Sequence, residues 1–286
     1  MTILLTLLLQ DVDALRALGA EVTESGGAIT RVSFKDCAKL GEAEYKTLGA
    51  IKTLKVLTLY GGKKTLTDAT LPLLAGLSEL EELSTEGTHL SDAGLAGFAA
   101  LKNLKSIAFF HPSLDLKEFN GSGYAALKDL PKLERLTIAG TRADDRLMAA
   151  VAQIPQLKDF RTWHTYQSQA GNAALEKLPN LRSLTLGQRL RHWDGSSNAL
   201  SLDDATLDVL SRLQTLESLS LDEAKLSLEA LLKLKALPKL RKLSLQRIDI
   251  SGKDVALLKA VLPDVKIEWA ALTDDERQKL EAYLKP

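Results

Sequence analysis

The sequence predicts an α/β solenoid in which short parallel strands line a concave face and helices form the convex side. Three observations carry that expectation. Leucine occupies 60 of the 286 positions. Apolar triplets of the form L-x-x-L-x-L return at intervals of 26, 24, 29, 24, 24, 35 and 24 residues. Five of the eight prolines (Pro131, Pro155, Pro179, Pro238 and Pro263) fall at one phase, two residues before the next first leucine or its equivalent. A fixed period of this length means stacked units, each burying its apolar face against its neighbours.

The copies run along most of the chain. They are Leu54/Leu57/Leu59, Leu80/Leu83/Thr85, Leu104/Ile107/Phe109, Leu133/Leu136/Ile138, Leu157/Phe160/Thr162, Leu181/Leu184/Leu186, Leu216/Leu219/Leu221 and Leu240/Leu243/Leu245. A looser copy, Ile29/Val32/Phe34, precedes them, and Leu262/Val265/Ile267 is read as the last, with Val265 an alternative first position.

Each copy contains a strand, a turn and a helix. The x-L-x-L-x segment alternates at period two, as a strand with one buried face does. Thr67-Asp68, Ser91-Asp92, Asp144, Asp203, Ser227 and Ser251 follow as helix starts, their side-chain oxygens able to accept from first-turn amides. Ser251 and Asp254 have capping-box spacing. Leu71/Leu74/Leu77 and Leu207/Leu210/Leu213 then repeat at helical spacing, and proline ends the helix.

These triplets, with Leu66-Thr-Asp-Ala-Thr-Leu71 and Leu90-Ser-Asp-Ala-Gly-Leu95, resemble the leucine-rich-repeat family over roughly residues 29–269. The L-[ST]-D-A-x-L phrase is similar to bacterial members of the ribonuclease-inhibitor-like branch. The resemblance implies a horseshoe of about nine or ten repeats with convex helices. In such proteins Cys37, Thr88 and Thr141 occupy a slot where a small polar group bonds the turn backbone.

The ends are read separately. Residues 1–28 are expected to form an N-terminal cap, a helix followed by a hairpin turning at Gly26-Gly27, and residues 270–286 a closing C-terminal helix. Ile3 to Leu9 reads as an apolar cap helix continuing into Val12, Leu15 and Leu18, or as the remnant of an export signal. It lacks a basic start and a small-residue cleavage site, so the compartment stays open between cytoplasmic and exported.

Composition removes several functions. Lys+Arg and Asp+Glu are equal at 37 each, which argues against a nucleic-acid partner, because phosphate affinity comes from excess cation. One cysteine excludes an intramolecular disulfide framework. No apolar run reaches the roughly 20 residues of a membrane span. A monomer is expected in the unbound state.

Function is therefore sought between the core leucines. The position after the third core residue reads Lys35, Tyr60, Glu86, Phe110, Ala139, Trp163, Gly187, Asp222, Gln246. The next reads Asp36, Gly61, Gly87, His111, Gly140, His164, Gln188, Glu223, Arg247. At strand spacing, Phe110 and Trp163 would stand about 10 Å apart across a small floor of Ala139-Gly140. Two segments exceed the basic repeat, from Phe110 to Gly123 and from Gln188 to Ala199. The second carries Arg191 and Trp193 and is expected to extend the binding edge or to fold over Trp163.

The predicted site is thus Tyr60, Phe110, His111, Arg135, Trp163 and His164, with Arg191 and Trp193 from the long loop. It would bind a protein or peptide, aromatics anchoring by burial and charges setting register. A second reading is a glycan stacked on Trp163 and Phe110. A third, weaker one is a metal-dependent hydrolase using His111, His164 and His192, with Asp194. No phosphate loop, G-x-S-x-G or H-E-x-x-H is present. No cofactor and no enzymatic activity are expected, and Cys37 has no nearby histidine to activate it.

Overall fold

The computed structural model describes residues 13–62, 64–190 and 199–285. Two compact units divide the chain: Met1–Phe119 with Gly123–Thr137, and Asn120–Ser122 with Ile138–Pro286. Within each, sheet order is chain order.

In the first unit, β1 (Ala20–Ser25) and β2 (Ala28–Phe34) form an antiparallel hairpin. Its turn residues Gly26 and Gly27 have φ of 58° and 76°, a pair of left-handed conformations that a two-residue hairpin favours. β2, β3 (Val56–Leu59), β4 (Glu82–Glu86) and β5 (Ser106–Phe110) then pair in parallel. Val32, Leu57, Leu83 and Ile107 lie in one register row, and Phe34, Leu59, Thr85 and Phe109 in the next. Both rows are buried. Strand β6 (Arg135–Ala139) lies where one unit gives way to the other.

The second unit repeats the pattern in β7 (Asp159–Trp163), β8 (Ser183–Gly187), β9 (Ser218–Lys225), β10 (Lys242–Asp249) and β11 (Lys266–Trp269), all parallel. The last register differs from the sequence reading. Ile267 pairs with Leu243 and Trp269 with Leu245, so Asp264, not Leu262 or Val265, takes the first slot. Pairing in the ladder overrides apolar spacing here, because Asp264 needs no core behind it.

The segments between strands are helical, but many are tight 3-10 turns: Leu71–Leu74, Gly94–Ala100 and Gly171–Lys177. Regular α-helix occurs in α1 (Glu42–Ala50), α2 (Asp145–Val151), α3 (Thr206–Leu210), α4 (Leu228–Leu232), α5 (Gly252–Val261) and α6 (Asp274–Leu284). A 3-10 segment covers more distance per residue than an α-helix, which suits a short return path.

The aspartate of the L-[ST]-D-A phrase bonds the next repeat, while Thr67 serves its own turn. Asp68 accepts the Ser91 amide at 2.9 Å and the Ser91 hydroxyl at 2.6 Å, one repeat further on. In the second unit, Asp145 accepts the Ser168 amide and hydroxyl at 2.6 and 2.7 Å. Asp204 accepts the Ser227 amide at 2.8 Å. Each is a charge-assisted staple between consecutive repeats. In the two staples that take both the serine amide and its hydroxyl, glycine stands three residues after the serine, close against the aspartate. A Cβ on Gly94 would stand 1.7 Å from Asp68 Oδ1, and one on Gly171 2.2 Å from Asp145 Oδ1.

The core polar positions have local roles. The Thr85 hydroxyl lies 3.4 Å from the Ala108 carbonyl, and that of Thr162 lies 3.3 Å from Gln167 Oε1. Buried Cys37 receives the Thr65 hydroxyl at 3.3 Å. The expected backbone bond from Thr88 is not made: its buried hydroxyl has no hydrogen-bond partner. Ser113, drawn in by the first inserted segment, instead exchanges hydrogen bonds with Leu90, at 2.7 Å to its carbonyl and 3.2 Å from its amide.

Candidate functional site

The face of each sheet opposite the core is open, and its residues alternate with the buried leucines. In the first unit, Tyr60 follows β3 and Phe110 ends β5. Their rings meet edge to face, with centroids 6.2 Å apart and an interplanar angle of 86°. The Tyr60 hydroxyl is 2.8 Å from Ser84 Oγ, so the ring is fixed from the intervening strand. Phe110 therefore has an aromatic partner that sequence spacing alone did not suggest. Charges frame the pair: Arg135 reaches Glu82 at 3.0 Å, and Glu86 accepts the Gly61 amide at 3.1 Å. His111 Nδ1 lies 3.5 Å from Glu86.

The first inserted segment belongs to this unit as far as Phe119. Phe119 packs at 6.0 Å on Tyr124, which packs at 5.3 Å on Phe109. Asp115 bridges His89 Nδ1 and Lys64 Nζ, both at 3.0 Å. Burial pushes the Asp115 carboxyl up, but Lys64, its backbone bond and His89 outweigh this and hold it below its ordinary value.

Trp163 ends β7 in the second unit and is half-buried. Gly187, on the next strand, makes room for it: a Cβ there would stand 2.6 Å from the Trp163 Cβ. His164 Nε2 contacts Glu223 Oε2 at 2.5 Å. Arg247 Nη1 reaches Glu223 Oε1 at 2.9 Å, and the same guanidinium forks onto Asp222, its Nε 2.8 Å from Oδ1. The Glu223 carboxyl is pushed up by burial but held below its ordinary value by the His164 hydrogen bond and the charges of His164 and Arg247.

Helix α6 closes over this cluster. Tyr283 donates its hydroxyl to the Arg189 carbonyl at 2.6 Å, and its ring lies 6.2 Å from that of His164. A cleft of about 270 Å³ remains between helix and sheet, lined by Glu223, Arg247, Glu276, Lys279, Leu280 and Tyr283. A Thr273–Glu276 capping box fixes the start of the helix.

The second of the two post-strand positions has a backbone meaning that the sequence reading did not assign. Gly61, Gly87 and Gly140 have φ of 106°, 68° and 68°, and His111, His164, Glu223 and Arg247 have φ of 49°, 51°, 60° and 46°. At these seven positions, though not at Asp36 or Gln188 in the same column, the chain turns left-handed, which glycine does freely and other residues at a cost of about 1–2 kcal/mol. The recurrence of glycine in that column was the available signal. Four charged or imidazole residues held there against the backbone preference mark side chains retained for what they contact.

The second inserted segment is clamped at its feet. Buried Gln188 accepts the Ser201 and Leu202 amides at 2.8 and 3.2 Å through Oε1, and its Nε2 donates to the Leu202 carbonyl at 3.0 Å. Arg191, His192, Trp193 and Asp194 lie outside the described residues. Among the described residues, no group of three His, Cys, Asp or Glu side chains is placed to hold a metal. No helix among them is long and apolar enough to cross a membrane.

No family model matches the chain, and no curated protein matches it. Solved structures do. Internalin C2 from Listeria monocytogenes is similar at 18% identity and a TM-score of 0.42, over 68% of this chain and 80% of that one. The Rad7–Elc1 complex of yeast aligns at 18% identity and TM-score 0.41, over 86% and 79%. A leucine-rich-repeat protein of Leptospira interrogans aligns at 19% and 0.47, over 78% of this chain and 57% of that one. The in-register leucine rows, parallel strands and helical returns are those of a leucine-rich-repeat solenoid.

Proposed function

We propose that this chain is a non-enzymatic binding module of bacterial leucine-rich-repeat type that takes a protein or peptide on the open face of its sheet. The observation that carries the reading is the Tyr60–Phe110 pair, two large rings fixed edge to face and framed by Glu82–Arg135 and Glu86. An aromatic anchor inside a charged rim is how interfaces concentrate binding energy while keeping specificity.

In the second unit, Trp163 supplies a further anchor and His164 a polar contact. Arg191 and Trp193 of the inserted segment are part of the proposed ligand contacts. Gln188 supports the assignment, because a loop with pinned feet loses less entropy on binding.

Selection of ligands from a displayed peptide and protein library against the purified chain tests the proposal. Ligands so obtained lose about 2 kcal/mol with Trp163→Ala or Phe110→Ala if these are anchors. Ligands indifferent to both variants, or a glycan array that responds where peptides do not, refute it.

A further inference from the structure

Helix α6 lies against β9 and β10, and its contacts follow the ends of the strands. Arg277 reaches Asp249, the last residue of β10, at 3.3 Å. Tyr283 donates to the Arg189 carbonyl just beyond β8, and its ring meets the imidazole of His164 just beyond β7. The helix is thus laid over a residue assigned to the ligand. His164 Nε2 is engaged with Glu223 at 2.5 Å and its ring with Tyr283. A ligand that takes His164 from this side must first move α6.

The seat of the helix is shallow. Of the eleven residues of α6, Leu280 is the buried one. Asp274 to Lys279 are exposed, as are Glu281 and Ala282. The cleft of about 270 Å³ stays open beneath, between Leu280 and Tyr283 on the helix and Glu223 and Arg247 on the sheet. Buried apolar area is what holds a helix of this length, and one leucine above unfilled space supplies little of it. Elements so attached open well before the whole chain unfolds. Ala270 and Ala271, exposed and in neither strand nor helix, join α6 to β11 and give it a place to bend.

We infer that α6 is a displaceable latch over the second unit's share of the binding face. The protein or peptide ligand lifts it to reach His164, Glu223 and Arg247. The inference rests on the open-face reading and adds that the chain itself occupies part of that face until ligand arrives. What the latch uncovers sets the ligand's chemistry: an apolar side chain for the seat of Leu280, and a hydrogen-bond donor for the Arg189 carbonyl.

The test uses ligands selected from a displayed peptide library against both the native chain and a released chain, Leu280→Ser with Tyr283→Ala. Those that need Trp163 are titrated against the two. The released chain is expected to bind them about tenfold tighter, because binding no longer draws on a minor open population. Tyr283→Phe, which removes one hydroxyl, is expected to give a smaller gain, about threefold. Circular dichroism checks that each variant is folded. Hydrogen exchange of the native chain gives a second readout. Bound ligand should speed exchange across residues 274–284 while slowing it in β7, since a detached helix of this length frays.

Equal affinity for the native and released chains overturns the latch and leaves the open-face reading intact. So does ligand under which α6 exchanges no faster than in the free chain. Failure to find a Trp163-dependent ligand for either chain also overturns it, and the open face then rests on Phe110 alone.

Discussion

Glu223 closes on His164 at 2.5 Å, although both residues must hold a left-handed backbone, with φ of 60° and 51°, to do so. Arg247 supports the carboxylate from the other side at 2.9 Å, and the ring of Tyr283 on α6 meets the imidazole edge-on at 6.2 Å. The arrangement ties β7, β9, β10 and α6 together through side chains.

The pH dependence follows from Glu223. Its folded-state pKa lies below its ordinary value near 4.5. The folded state therefore binds the proton more weakly than the unfolded chain, and the stabilisation is fully present above the ordinary value. It is lost as pH falls through the lowered one. Glu223→Gln should cost about 1–3 kcal/mol at neutral pH and flatten the acid limb of stability measured by urea unfolding. An unchanged acid limb would show that the pair contributes nothing.

His111 makes the converse case. Its contact with Glu86 is long, 3.5 Å, and exposed, while its φ is 49°. His111→Gly should raise unfolding stability by about 1 kcal/mol, since relief of the left-handed conformation exceeds the loss of a surface pair. The same variant should weaken ligand binding at the open face. A loss of stability would mean that the imidazole packs more tightly than its contacts indicate.

Asp68 and Gly94 should couple strongly. Asp68→Ala removes two hydrogen bonds to a charged acceptor and is expected to cost about 2 kcal/mol. Gly94→Ala places a methyl group against the Asp68 carboxylate and should destabilise on its own. Once Asp68 is alanine the obstruction is gone, so the double variant should be no less stable than Asp68→Ala. Additive losses in the thermodynamic cycle would contradict the staple.

Gly187→Ala reports on Trp163 in the same way. The added methyl group approaches the Trp163 Cβ to 2.6 Å, and backbone on both strands must give. A drop in the unfolding midpoint with a shifted tryptophan emission is expected. An unaltered spectrum and midpoint would place Trp163 elsewhere.

The repeat itself was legible because leucine at fixed spacing has one physical use. Helix starts at Ser227 and Ser251 were legible too, since the capping serine accepts from Ala230 and Asp254 amides where the sequence put it. Three features were hidden. Asp68 reads as a local cap, and only stacking reveals that its acceptor capacity is spent on Ser91. His164 and Glu223 look like neighbours of a binding row, and only the left-handed turn shows why glycine shares their column. The last strand was shifted because Leu262 and Val265 offered an apolar pattern, while ladder pairing selected Ile267 and Trp269. The partner of Phe110 was missed for a simpler reason: rings reach across an intervening strand, and residue lists do not show reach.

Whether Tyr60 and Phe110 anchor a protein-binding face is decided by titration calorimetry of a library-selected ligand against the native chain and the Tyr60→Ala/Phe110→Ala variant. A loss of at least about 2 kcal/mol in a variant that remains folded is predicted. Undiminished affinity in that variant would show that the two rings do not anchor the ligand.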